Sequence, residues 1–309
     1  MTATTKHVLV TGGTGQVGLE IAALDWPEGF ALHLPTRAEL DLSSGAGIEA
    51  YLSGREWAGI INCAAWTAVD NAESRVGEAW AANAQGPAWL ADGAARRGLP
   101  LVHVSTDYVF AGDLDRPYRE DDPTGPKGVY GASKLGGELA VLTGNPRSVA
   151  LRTAWVQSRH RANFVKTMLR LAETRDTLGV VADQHGCPTS AGDIARALQT
   201  ILLRMIDDPQ APAGVYHFVN GGAATWADLA EFVFERSARH DGPSATVQRI
   251  ATDQYPTPAR RPANSRLATE AIARDFGIAP RDWRAAMGEV IDQIFADLAE
   301  ARAMEGVQS

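Results

Sequence analysis

His7-Val8-Leu9-Val10-Thr11-Gly12-Gly13-Thr14-Gly15-Gln16-Val17-Gly18 opens with an apolar run, passes through a glycine-rich turn and leads into a helical pattern over residues 19–24. Gly12, Gly15 and Gly18 stand three apart between strand and helix. Glycine permits a tight turn and close backbone approach, and the start of the following helix offers unpaired N–H groups to a pyrophosphate. That order of parts predicts an α/β chain with a doubly wound parallel sheet that binds a dinucleotide at Gly12, Gly15 and Gly18.

The stretches that follow continue the alternation. A second strand over residues 30–34 ends in Pro35-Thr36-Arg37 with no acid. An acid at that place binds the ribose hydroxyls of NAD, whereas an arginine accommodates the phosphate of NADP. The expected cofactor is therefore NADPH, with Arg37 as its contact and NADH as the alternative. Residues 59–65 read as a buried parallel strand ending in small side chains, which leave room for a cofactor across the strand end. Residues 73–97 read as one long helix covering the sheet. Residues 99–105 form the next strand and deliver Thr106 to its end, where open α/β sheets carry their sites. Residues 112–128 are rich in proline, glycine and aspartate and predict an irregular loop over the cleft. A strand over 149–154 ends at Trp155. Beyond it, helical patterns at 163–174, 193–205, 229–236 and 283–298 alternate with strands at 178–182 and 215–219. The expected division is a dinucleotide-binding domain over 1–154, with parts of 176–220 returning to it. The remaining parts of 155–309 form a smaller mixed α/β substrate-binding domain.

The chemistry centres on Tyr130-Gly131-Ala132-Ser133-Lys134. Residues four apart share a helix face, so Tyr130 and Lys134 point into one cleft. A tyrosine titrates at about 10, and a nearby cation favours its phenolate, so Lys134 is expected to lower the Tyr130 pKa and make it a proton donor to a carbonyl under reduction. The Thr106 hydroxyl is placed to hydrogen-bond the reacting oxygen.

Composition sets limits. Charged residues are 21% of the 309, the net charge is −8 and no basic run occurs, which argues against nucleic acid as a partner. Cys63 and Cys187 stand apart without a CxxC or a His-Cys cluster, so neither a disulfide nor a zinc site is expected and a reducing cytoplasm fits better. No apolar run approaches the roughly 20 residues of a membrane span, and Met1 to Lys6 lack a signal-peptide core. The expectation is a cytoplasmic protein with a small-molecule substrate and no membrane contact.

The glycine spacing resembles that of the extended short-chain dehydrogenase/reductase superfamily, whose nucleotide-binding half is of Rossmann type. The wider chain resembles the dTDP-4-dehydrorhamnose reductase family. Six segments carry the likeness: Asn62-Cys63-Ala64-Ala65-Trp66-Thr67-Ala68-Val69-Asp70, Ser105-Thr106-Asp107-Tyr108-Val109-Phe110, Arg152-Thr153-Ala154-Trp155-Val156, Asn163-Phe164-Val165-Lys166-Thr167-Met168, Asp183-Gln184-His185-Gly186-Cys187-Pro188-Thr189 and Tyr255-Pro256-Thr257-Pro258-Ala259-Arg260-Arg261-Pro262. The resemblance implies NAD(P)H-dependent reduction of the C4 ketone of dTDP-4-dehydro-6-deoxy-L-mannose. It implies Tyr130 as proton donor, Lys134 as its partner and a ribose contact, and Thr106 as the group that polarises the ketone. Asp107 and Trp155 match sugar-contacting positions. Gly15, Gln16 and Val17 match the pyrophosphate turn, and Asp41, Leu42, Ala65 and Thr67 match cofactor-lining positions. Two departures stand out. Gln157 replaces a frequent tyrosine and the segment 158–162 is not a close match, so the rim is expected to admit a different sugar. Some members of the family dimerise through a metal held by glutamates. Glu20 matches one of them, but Gly192 stands at another such position, so no metal site is expected and the protein reads as a monomer or homodimer. The competing readings are a reductase or epimerase of another nucleotide-linked keto-deoxysugar, and a non-catalytic NADP-binding regulatory subunit.

Overall fold

The computed structural model describes residues 5–307; the part of the N-terminal reading that concerns residues 1–4 lies outside them. Six parallel strands make the central sheet: β1 (Lys6–Thr11), β2 (Phe30–His33), β3 (Gly59–Asn62), β4 (Leu101–Thr106), β5 (Ser148–Thr153) and β6 (Gly214–His217). Their spatial order is β6-β5-β4-β3-β1-β2. The order reverses between β1 and β3, and a crevice opens at their carboxyl ends, where such sheets take their ligands. This is a doubly wound Rossmann-type α/β sheet.

Parallel strands covered on both faces read as near-continuous apolar runs. Val8 and Val10 of β1 join Ile61, Val102, Val149 and Leu151 on one face, whereas Leu9 joins Ile60 and Leu101 on the other. The first face is covered by α1 (Gln16–Ala23) and by a helix far along the chain, Ala191–Asp207, whose Ile194, Leu198, Ile201, Leu202 and Met205 form one buried stripe. The second face is covered by α2 (Gly45–Ser53), α3 (Gly86–Ala95) and α4 (Val129–Gly144), through Ile48, Leu52, Leu90 and Val141. β6 adds to the far edge of β5, with His217 opposite Arg152.

Residues 73–97 depart from the expected single helix. A short helix, Val76–Trp80, passes into a π-helical turn at Ala81–Gln85 before α3 begins at Gly86. The wider turn brings Asn83 inward, where its Nδ2 donates to Ser133 Oγ (3.0 Å) and the Trp66 carbonyl (3.1 Å), while its Oδ1 accepts from Trp66 N (2.7 Å). Helix α4 lies so close to this turn that a Cβ on Gly137 would stand 2.0 Å from the Asn83 carbonyl oxygen.

A second core gathers α5 (Phe164–Ala172), α7 (Trp226–Ala238) and α8 (Trp283–Val307), with the parallel pair Thr177–Val181 and Thr246–Ile250 completing it, whereas α6 (Ala191–Asp207) is the helix already packed on the sheet. Helix α7 starts earlier than the apolar pattern predicts. Thr225 and Asp228 form a capping box, each side chain accepting the other's backbone N–H (3.1 and 2.8 Å). No helix among the described residues is long and apolar enough to cross a membrane.

Candidate active site

Every site residue expected from sequence lines a single cavity of about 890 Å³ at the carboxyl ends of β1, β3 and β4. Gly12, Gly15, Gln16, Val17 and Gly18 form its floor; Arg37, Asp41 and Leu42 lie at one end and Thr106, Asp107, Tyr130, Lys134 and Trp155 at the other, with Ala65 and Thr67 along the wall.

The glycine turn is packed as backbone against backbone. Gly12 adopts φ +73°, and a Cβ there would lie 2.6 Å from Ala64 N; a Cβ on Gly18 would lie 2.3 Å from the Gly12 carbonyl oxygen. No side chain caps α1, so its first N–H groups are left for an anion, and the turn fits a dinucleotide pyrophosphate. At the far end, Arg37 is 86% exposed in its side chain and stands 3.8 Å from Asp41, free to turn toward a phosphate.

Thr106 ends β4 and caps the short turn that follows, its Oγ1 accepting from Tyr108 N (3.3 Å) and donating to Asp107 Oδ1 (3.0 Å). Asp107 is 3% exposed, and its Oδ2 has no partner among the described residues. A buried carboxylate oxygen without a donor is costly unless a ligand supplies one. Burial pushes the Asp107 carboxyl up to about 6, against the opposing pull of the Ser265 and Thr106 hydroxyls. Its folded value lies above the ordinary 3.8, so Asp107 supports folding below about pH 4 and that contribution is lost as pH rises through about 6. Asp107→Asn cannot ionise. Its stability relative to the wild type should therefore climb between about pH 4 and 6 and stay higher at about pH 8 in paired urea titrations; a constant difference across that range would show that the carboxyl titrates normally.

Tyr130 and Lys134 lie on the first turns of α4, but their coupling differs from expectation. Burial pushes the Tyr130 phenol above its ordinary range; a hydrogen bond with Thr106 opposes this, and the nearby Asp107 and Tyr108 reinforce it. Lys134 is turned toward the sheet, where its Nζ donates to the Val104 carbonyl (2.6 Å) and lies 3.4 Å from His103 Nε2. Burial pushes it down to about 8, against the pull of Glu138 and Cys63. The expected lowering of Tyr130 by Lys134 is not found: desolvation of the phenolate dominates, and the hydrogen bond with Thr106 is what opposes it. The Tyr108 ring meets that of Tyr130 edge-on at 5.5 Å.

Beneath the site lies a buried polar network that sequence reasoning missed. Thr11 Oγ1 and Ala64 N donate to Asn62 Oδ1 (2.6 and 3.1 Å), which turns Asn62 Nδ2 to His103 Nδ1 at 2.9 Å. Burial holds His103 well below its ordinary value, so the ring is neutral. Deeper still, Arg152 and Glu138 form a two-pronged ion pair (2.9 and 2.8 Å) that fixes α4 to β5. Polar residues inside an apolar strand are the only signal that marked this network in the sequence.

Trp155 has φ +49° and stacks on Trp226 with ring centroids 3.6 Å apart. Gly186 passes against it so closely that a Cβ would lie 2.3 Å from the indole, which accounts for a glycine in that segment. Gln157 is not on the rim. It is 2% exposed, its Nε2 donates to the Trp155 carbonyl (3.2 Å) and its Oε1 accepts from Val165 N (3.1 Å), so it supports Trp155 instead of selecting a sugar. Arg261 is engaged as well, on Asp70 (2.7 Å) and the Tyr108 hydroxyl (3.2 Å). Glu20 accepts from Ser158 Oγ (2.9 Å), beside Gly192.

The family model described as the RmlD substrate binding domain matches residues 6–295. The dTDP-4-dehydrorhamnose reductase of Sinorhizobium fredii is 46% identical over 278 residues, which span 90% of this chain and 94% of that protein. Among solved structures, a dTDP-4-dehydrorhamnose reductase from Clostridium acetobutylicum superposes with a TM-score of 0.86 at 35% identity, over 93% of this chain and 99% of the other. One from Bacillus anthracis, in complex with NADP, superposes with a TM-score of 0.85 at 29% identity, over 95% and 99%.

Proposed function

The chain belongs to the dTDP-4-dehydrorhamnose reductase family, and on that premise we propose that it reduces the C4 ketone of dTDP-4-dehydro-6-deoxy-L-mannose to give dTDP-L-rhamnose. It is an oxidoreductase, and its cofactor is NADPH. The observation that carries the reading is the convergence of the glycine turn, two hydroxyls and a lysine on one cavity.

Bound along the turn, NADPH supplies the hydride that adds to C4. In this reading Gly12, Gly15, Gln16, Val17 and Gly18 hold the pyrophosphate, Arg37, Asp41 and Leu42 the adenosine end, and Ala65 and Thr67 the wall beside the nicotinamide. Thr106 hydrogen-bonds the ketone oxygen and draws charge onto it. Tyr130 passes its proton to that oxygen as the carbon gains the hydride, so the ketone becomes an alcohol and the phenol a phenolate. Lys134, one turn along α4, offsets that charge and holds the nicotinamide ribose. Asp107 accepts from a sugar hydroxyl through its unpartnered oxygen, and Trp155 packs under the ring. Residues 1–154 with parts of 176–220 make the cofactor half, and the rest of 155–309 the substrate half. The reading places the enzyme in the cytoplasm, as a monomer or homodimer, where its two free thiols, Cys63 and Cys187, remain reduced.

The test is NADPH oxidation by the purified protein with enzymatically prepared dTDP-4-dehydro-6-deoxy-L-mannose. Substrate-dependent loss of NADPH absorbance with formation of dTDP-L-rhamnose is expected. Tight NADPH binding with no turnover on this sugar would sink the substrate assignment.

A further inference from the structure

The geometry points to Arg161 as a cationic clasp on the pyrophosphate of the dinucleotide, held over the glycine turn by the segment 158–163; this rests on the cofactor reading above. Three ties stitch the segment to the turn and its helix. Ser158 Oγ donates to Glu20 Oε1 (2.9 Å), Arg161 Nε donates to the Thr14 carbonyl (2.7 Å), and Asn163 Nδ2 donates to Gln16 Oε1 (3.0 Å). The outer side is anchored too, by Arg159 on Asp297 (3.0 Å) and by Lys166 Nζ on the Arg159 carbonyl (3.0 Å).

Arg161 itself sits at φ +57°, a backbone state that arginine rarely adopts and glycine takes freely. A turn needing only that conformation has no use for a long cation. The side chain lines the cavity, and its two Nη groups make no hydrogen bond among the described residues. The cations lining the cavity are Arg37, Lys134 and Arg161. Arg37 lies beside Asp41 at the adenosine end, and Lys134 is turned onto the Val104 carbonyl. Only Arg161 stands at the glycine turn, where a pyrophosphate brings its negative charge to N–H groups that carry partial charges alone. A guanidinium fixed through Nε still presents a planar pair of donors to phosphate oxygens.

The experiment is a titration of NADPH, NADH and dTDP into the wild type and Arg161→Ala, followed by tryptophan fluorescence, with circular dichroism as the check on folding. Loss of one charged hydrogen-bond donor should weaken NADPH and NADH by the same factor, about ten- to hundredfold, and leave dTDP unchanged. Arg161→Lys should recover part of the loss. NADPH affinity within about twofold of the wild type overturns the clasp. A loss confined to NADPH would put the guanidinium on the 2′-phosphate, and one confined to dTDP would put it on the substrate's diphosphate; either overturns it too. A wild type that bound no NADPH would defeat the cofactor reading itself.

Discussion

Tyr130→Phe should lower kcat by about 10²- to 10⁴-fold, the range ascribed to a positioned general acid, while NADPH affinity stays near that of the wild type. The substitution removes one oxygen and keeps the ring that packs edge-on against Tyr108. Burial holds the phenol protonated well beyond neutral pH, so the donor proton is in place at rest. The proton leaves only when negative charge develops on the ketone oxygen beside it, which is a transition-state interaction, so kcat and kcat/KM should fall together. Stopped-flow NADPH oxidation, with cofactor binding measured separately, decides the matter. A variant that turned over at near the wild-type rate would remove Tyr130 from its role and leave Thr106 or a water as the donor.

The largest stability effect is expected at the buried ion pair. Glu138→Ala strands the Arg152 guanidinium, 3% exposed, in a low-dielectric interior against Phe110 and beside His217. Breaking a buried pair by removing one partner costs roughly 3–5 kcal/mol. The double variant Glu138→Leu with Arg152→Met should recover much of that loss, because it removes both desolvation costs together. Urea unfolding of the two variants tests the idea, and a double variant as unstable as the single one would show that the pair's geometry, not its charge, holds the region. Glu138 lies on the helix that carries Tyr130 and Lys134, so the single variant should also lose turnover as α4 shifts.

The parts of the site that were legible in the sequence are those whose chemistry depends on local spacing. Gly12, Gly15 and Gly18 follow a strand and precede a helix, which is enough to expect the turn, and Tyr130 with Lys134 share a helix face by their separation alone. Properties set by distant neighbours were not legible. The direction of the Tyr130 pKa depends on how deeply α4 is buried, and the seat of Gln157 depends on Val165 N and the Trp155 carbonyl needing a partner. Asn83 reaches Ser133 because a π-helical turn widens the backbone at Ala81–Gln85, and nothing in the composition of that stretch announces it. Residues 215–219 read as a strand within a stretch expected to return to the first domain, and the three-dimensional arrangement adds which edge it takes, that of β5.

That pairing bears on how the chain is made. β5 is buried at every position, yet the strand that covers its edge is some sixty residues further along, at Gly214–His217. On a ribosome the first five strands emerge before the sixth exists, and during that interval Val149, Ala150 and Leu151 line an open edge with unpaired N–H and C=O groups, a template for pairing with another nascent chain. Helix α6, which covers the same face, also comes late. Synthesis that stalls before residue 214 should therefore yield aggregates in place of a folded half.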